Sequence, residues 1–206
     1  MKIKLFNKLF VLQLIMIFLF LAACSDSSNT NHNGTTSDSD SGSVEAGGSL
    51  KIAIDQNVTV LAPSSEIRAQ VDAFVSETAL EKLGRYKSDG TMEPVLAESW
   101  EEKPDELSIT FELKQGIKFH DGTDFNAEAV KWNIEEFMNA GRTELEGITS
   151  VEVTGEHTVQ IHLDEWNSSM LNNMIYFVPM VSPAAYEETG IDWIKENPIG
   201  TGPYKL

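Results

Sequence analysis

The chain has 206 residues, and its 32 acidic and 15 basic side chains give a formal net charge of −17. An excess of acid this large argues against nucleic-acid binding, because phosphates would be repelled by the protein surface. Cys24 is the only cysteine in the sequence, which excludes an intramolecular disulfide.

The first 24 residues have the pattern of an export signal. Three lysines among the first eight residues precede an apolar run at 9–21, which is shorter than the roughly 20 residues that span a bilayer. The run ends in Leu-Ala-Ala followed by Cys24, which resembles a bacterial lipobox. We predict a lipoprotein signal peptide at 1–23 and lipidation of Cys24, which would anchor the chain at the extracytoplasmic face of the cell membrane. The alternative is an uncleaved membrane anchor with an incidental cysteine.

Two regions of different composition follow. Residues 24–49 are mostly Ser, Thr, Asn, Asp and Gly, and such a segment has too little apolar surface to offset the entropy lost on ordering. We predict a disordered tether there. Residues 50–206 have the length and apolar content of one domain with a core of its own.

Apolar spacing and turn residues predict alternating strands and helices in the domain. In chain order we expect a strand at 50–54, a helix at 68–83, a turn at 88–90, a strand at 109–113, a helix at 126–138 capped by Asn126, a hairpin at 151–163, and helices at 168–176 and 183–190. The mixture places the domain in the α/β or mixed α+β class.

Four motifs occur in a fixed order along this domain. They are LAESW at 96–100, ITFELKQGIKFHDGT at 109–123, NAEAVKW at 126–132 and NPIGTGPY at 197–204. Together they resemble the extracellular solute-binding proteins of the oligopeptide, dipeptide and nickel family of ABC importers. The resemblance extends from about residue 50 to residue 206.

The resemblance implies a two-lobed, periplasmic-binding-protein-like clamshell that closes around a small solute. Residues 50–206 would then be the incomplete first lobe, with the second lobe missing, and the chain would be a fragment, a truncated reading frame or a short form. The implied solute is a peptide or a nickel or other metal chelate, and the implied partners are an ABC permease and its ATPase. The arginine that nickel-type members place before a proline-rich stretch has no counterpart at 174–179, which favours a peptide.

The resemblance also places several side chains at the solute cleft. The candidate ligand-binding residues are Arg68, Ser76, Thr78, Arg142 and Trp166. For the two arginines, the alternative is an ordinary surface charge. Trp100 and Trp132 are expected to anchor the core instead.

The sequence predicts no catalytic residues, no metal site and no cofactor. A nucleophile elbow of the Gly-x-Ser-x-Gly type is absent from the sequence. His157 and His162 would lie on opposite faces of one strand, and no two histidines have helical ligand spacing. We therefore expect a binding protein and not an enzyme. Two alternatives remain, a peptide sensor of the same fold that serves signalling, and a secreted hydrolase that reuses the scaffold.

Overall fold

A computed structural model describes residue 51 and residues 53–206. The predicted signal peptide at 1–23, Cys24 and the tether at 25–49 lie outside the described residues. The predicted strand at 50–54 lies partly outside them, and its described members Lys51, Ala53 and Ile54 are not in a strand, contrary to the prediction.

The described elements alternate between strands and helices. In chain order they are α1 (Gln70–Ser76), β1 (Gly84–Tyr86), β2 (Met92–Pro94), β3 (Ala97–Lys103), β4 (Ser108–Leu113), α2 (Ala127–Asn139), β5 (Ile148–Gly155), β6 (Thr158–Leu163), α3 (Met170–Phe177), α4 (Pro183–Thr189) and α5 (Ile191–Ile194), with 3₁₀ turns at Pro104–Glu106 and Thr143–Leu145. None of the described helices is both long and apolar enough to cross a membrane.

Four strands form one antiparallel sheet in the order β3-β4-β6-β5, and β1 and β2 form a separate hairpin. The central strands alternate as the sequence predicts, so that Ile109 and Phe111 on β4 and Val159 and Ile161 on β6 are fully buried. Val159 is paired with Phe111, and Ile161 with Ile109. This pairing brings the apolar side chains of both strands onto the same face, where they build the main core.

Helix α2 covers this face of the sheet. Asn126 caps it as predicted, because its side-chain oxygen accepts a hydrogen bond of 3.0 Å from the Ala129 amide. Val130, Ile134 and Phe137 are fully buried in the same core cluster as the strands. The 3.6-residue period of these side chains therefore determines which face of the helix packs against the sheet.

The helix predicted at 68–83 is wrong in its second half, because α1 ends at Ser76. The hydroxyl of Ser76 donates to the Ala73 carbonyl and that of Thr78 to the Val75 carbonyl, and such local bonds compete with helical ones. The burial of side chains on α1 does not follow their polarity. Asp72 is buried, whereas Phe74 is 63% exposed. The Asp72 carboxylate accepts hydrogen bonds of 2.8 Å from both the amide and the hydroxyl of Thr59.

Two other predictions need correction. His157 lies in the turn before β6 and not on a strand, so its predicted position opposite His162 does not hold. Trp132 is half-buried and packs edge-on against Tyr186, with ring centroids 4.9 Å apart, whereas Trp100 does pack against the main core. Sequence patterns also missed the hairpin β1–β2 and the strand β3.

Candidate functional site

A loop between residues 59 and 69 leads into α1 and is fixed at several points. The Leu61 amide donates to the Lys195 carbonyl over 2.7 Å, and the Ser65 hydroxyl donates to the Glu136 carboxylate over 2.6 Å. A guanidinium nitrogen of Arg142 donates to the Ile67 carbonyl over 2.8 Å. These bonds join the loop to three different parts of the fold, so its side chains are held in defined positions.

A cavity of about 380 Å³ opens beside this loop. The loop and α1 form one side of the cavity. Tyr176 and Phe177, at the end of α3, and Pro179 form another side. Its polar and charged lining residues are Ser64, Arg68, Gln70, Ser76, Glu77, Lys82 and Arg142. We call this space the Arg68 cavity. A concave site with a few converging polar groups and aromatic neighbours is the usual form of a small-molecule site.

Two of the three cations in the cavity are bound to carboxylates. Arg142 pairs with Glu144 through two of its nitrogens and lies over the Phe137 ring, 4.8 Å from the ring centroid. Lys82 is 2.5 Å from a Glu77 oxygen and 5.0 Å from the Tyr176 ring centroid. The hydrogen bond from Arg142 lowers the pKa of the Glu144 carboxyl although burial opposes it. The charge of Arg68 acts in the same direction.

The structure brings together three of the five predicted ligand residues. Arg68, Ser76 and Arg142 line the Arg68 cavity, whereas Thr78 and Trp166 do not. Trp166 is half-buried against the main core, so its contact with a solute stays a prediction. Of the residues at 141–143, only Arg142 lines the cavity.

Sequence reasoning missed Lys82, Tyr176 and Phe177. Tyr176 is 53% exposed, and its ring packs edge-on against Phe177 with centroids 4.8 Å apart. Tyr176 is the last residue of the helix predicted at 168–176, and Phe177 follows it. Only the long-range fold places the end of α3 beside the loop that contains Arg68, so no local signal indicates this contact.

The Gly-Thr-Gly motif at 200–202 is structural and lies against the segment that follows α1. The Gly202 amide donates to the Ala79 carbonyl over 2.9 Å, and the Gly202 carbonyl is 2.7 Å from His120 Nε2. Asp121 accepts hydrogen bonds from Thr123 and from the Ser182 hydroxyl. Burial tends to raise the pKa of the Asp121 carboxyl, but these hydrogen bonds outweigh it and lower the pKa. The motif therefore fixes the segment that follows α1, and we assign it no contact with the solute.

The described residues contain no group of three His, Cys, Asp or Glu side chains that could hold a metal ion.

Comparisons with known proteins define the class of protein. NikA from Brucella suis, solved with Fe(III)-EDTA, is 33% identical, with a TM-score of 0.62 over 72% of this chain and 32% of that one. NikZ from Campylobacter jejuni, solved with Ni(L-His), is 31% identical, with a TM-score of 0.58 over 64% of this chain and 28% of that one. The fold is therefore that of part of a periplasmic binding protein.

The sequence comparisons give the family. A model of the bacterial extracellular solute-binding proteins, family 5 (middle), matches residues 91–206, and the chain belongs to this family. The glutathione-binding protein GsiB of Salmonella typhi is 35% identical over 167 residues, which are 78% of this chain and 32% of that protein. The chain thus spans about a third of the length of the curated relatives it matches.

Proposed function

We propose that the chain is the solute-binding component of an ABC importer, anchored by a lipid at the extracytoplasmic face of the cell membrane. It captures a peptide or a metal chelate and delivers it to the permease, while a separate ATPase subunit supplies the energy. In this role the chain binds its solute without converting it, so it is not an enzyme.

The observation that carries this proposal is the Arg68 cavity in a chain of this family. Its polar groups converge from the loop before α1, from α1 itself and from Arg142, and Tyr176 and Phe177 offer aromatic surface beside them. Peptides and chelates present carboxylates, amides and apolar groups, which are the groups that such a lining binds. The relatives support the same range of solutes, since one is a glutathione-binding protein and another was solved with Ni(L-His).

Equilibrium dialysis of the purified full chain against a tripeptide mixture, and separately against Ni(II)–histidine, tests the capture of solute. We expect one of the two to be retained in proportion to the protein, and to be recovered chemically unchanged. If neither solute is retained, the proposal is contradicted. If cleaved peptides are recovered, the chain is an enzyme, which also contradicts the proposal.

The lipid anchor is tested by Cys24→Ser. The variant lacks the thiol that carries the lipid, and cleavage of the signal peptide would remove the apolar run, so the mature variant would keep neither anchor. We expect the variant to leave the membrane fraction or to remain unprocessed, measured by fractionation and intact mass. Ser28→Ala, four residues away in the same polar segment, is the matched control and should behave as the wild type. Normal processing with unchanged membrane retention of Cys24→Ser would contradict the anchor.

A further inference from the structure

We propose that Arg68 is the carboxylate-recognition residue of the solute site, so that the solute carries at least one free carboxylate that this guanidinium binds. The inference rests on the proposed solute-binding function and specifies its chemistry. The carboxylate could belong to a peptide terminus or to a metal chelate, and both sources present the same group to Arg68.

The cations of the Arg68 cavity differ in whether a carboxylate neutralises them. Of its three cations, Arg142 is bound to Glu144 and to the Ile67 carbonyl, and Lys82 is bound to Glu77. Arg68 forms no ion pair with any carboxylate of the described residues, and one of its nitrogens donates to the Ser65 carbonyl. Arg68 is therefore the cation of this cavity that is available to pair with a charged ligand.

Arg68 is accessible to a solute, and its guanidinium has the geometry that a carboxylate requires. The side chain is exposed at the cavity, and its guanidinium carries five N–H donors in a planar fork, of which the Ser65 carbonyl uses one nitrogen. A planar fork matches the two oxygens of a carboxylate, and such bidentate pairs are stronger than neutral hydrogen bonds. The bond to Ser65 fixes the fork in a loop that is itself tied to Glu136. The donor set is thus held in place before the solute arrives.

The charge around Arg68 differs from the charge of the whole molecule. The chain has a net charge of −17 and repels anions in general. Any preference for a carboxylate over its neutral amide must therefore come from local cations. The hydrogen bond from Arg142 is the main cause of the lowered pKa of Glu144, and the charges of Arg142 and Arg68 act in the same direction.

The experiment compares peptides that differ only in the terminal carboxylate, and it uses a metal chelate as a separate probe. The full chain is dialysed against a random tripeptide mixture with free carboxyl termini, against the same mixture amidated at the carboxyl terminus, and against Fe(III)-EDTA. We expect the free acids or Fe(III)-EDTA to bind at least about tenfold more tightly than the amides, as a charge-assisted pair allows. Preference for the free acids assigns a peptide source, and retention of Fe(III)-EDTA alone assigns a chelate.

Arg68→Gln then tests the residue. We expect it to remove the preference for the carboxylate while the thermal transition of the protein stays unchanged, because the side chain is exposed. Lys103→Gln is the matched control, since it removes the same charge at a half-buried site that pairs only with Glu101 and Glu106 among the described residues. It should keep the full preference. Acids and amides that bind equally well, or a preference that survives in Arg68→Gln, would overturn the assignment. Retention of no probe would instead overturn the proposed solute binding itself.

Discussion

Gly200→Ala should lower the free energy of unfolding by about 3 kcal/mol or more, because the added methyl group has no space. A Cβ at this position would lie 2.2 Å from the Ala79 carbonyl oxygen and 2.6 Å from Leu80 Cδ2. The first of these is a backbone atom that cannot rotate away. The segment at 199–204 would have to move off the chain at 78–80, which would also break the bond between the Gly202 amide and the Ala79 carbonyl.

Gly155→Ala is the matched control for this substitution. Its added Cβ would meet the Thr158 side chain at 3.3 Å, and a side chain can shift by the small amount required. We expect a change within about 0.5 kcal/mol. Urea denaturation of both variants and the wild type gives the comparison. Equal stabilities of the two variants would mean that the glycine motif does not lie against Ala79 as described.

Asn133→Ala should also cost about 3 kcal/mol, because it leaves buried backbone groups without partners. The Asn133 side chain is buried within α2, where it donates to the Ala129 and Val181 carbonyls over 2.9 Å and accepts from the Val181 amide over 3.0 Å. Truncation removes the partners of both Val181 groups and opens a void beside them. Because this bridge joins α2 to the segment before α4, its loss should loosen that segment.

The control for Asn133 lies on the same helix. Asn139 is the exposed last residue of α2, and Asn139→Ala removes the same amide group without uncovering a buried partner. We expect a change within about 0.5 kcal/mol in urea denaturation. If Asn133→Ala were as stable as Asn139→Ala, the bridge to Val181 would not exist.

Elements with strong periodicity can be predicted within a few residues. Helix α2, its Asn126 cap, the hairpin β5–β6 and the helix that begins at Pro183 all have local signals that agree with their tertiary packing. Strand β3 lacks such a signal. Among the described strands it lies at the edge of the sheet and pairs only with β4, so its side chains are mostly exposed, and Glu101 and Glu102 occur in succession. An edge strand of this kind has little apolar alternation to detect.

The candidate site is predictable only in part, for a different reason. Arg68, Ser76 and Arg142 are expected at the cleft by resemblance, and they do line one cavity. Lys82 and Tyr176 are 94 residues apart in sequence. Their contact, 5.0 Å from the Lys82 nitrogen to the ring centroid, depends on how α3 packs near β1. No periodicity or motif encodes such a long-range contact.

The most direct test of the central claim is amide hydrogen exchange of the full chain, with and without a saturating tripeptide mixture or Ni(II)–histidine. If the Arg68 cavity binds the solute, exchange should slow at residues 64–82 and 174–179 and stay unchanged in the edge strand β3. Unchanged exchange at 64–82 and 174–179, or slowing confined to other segments, would contradict a solute site at this cavity.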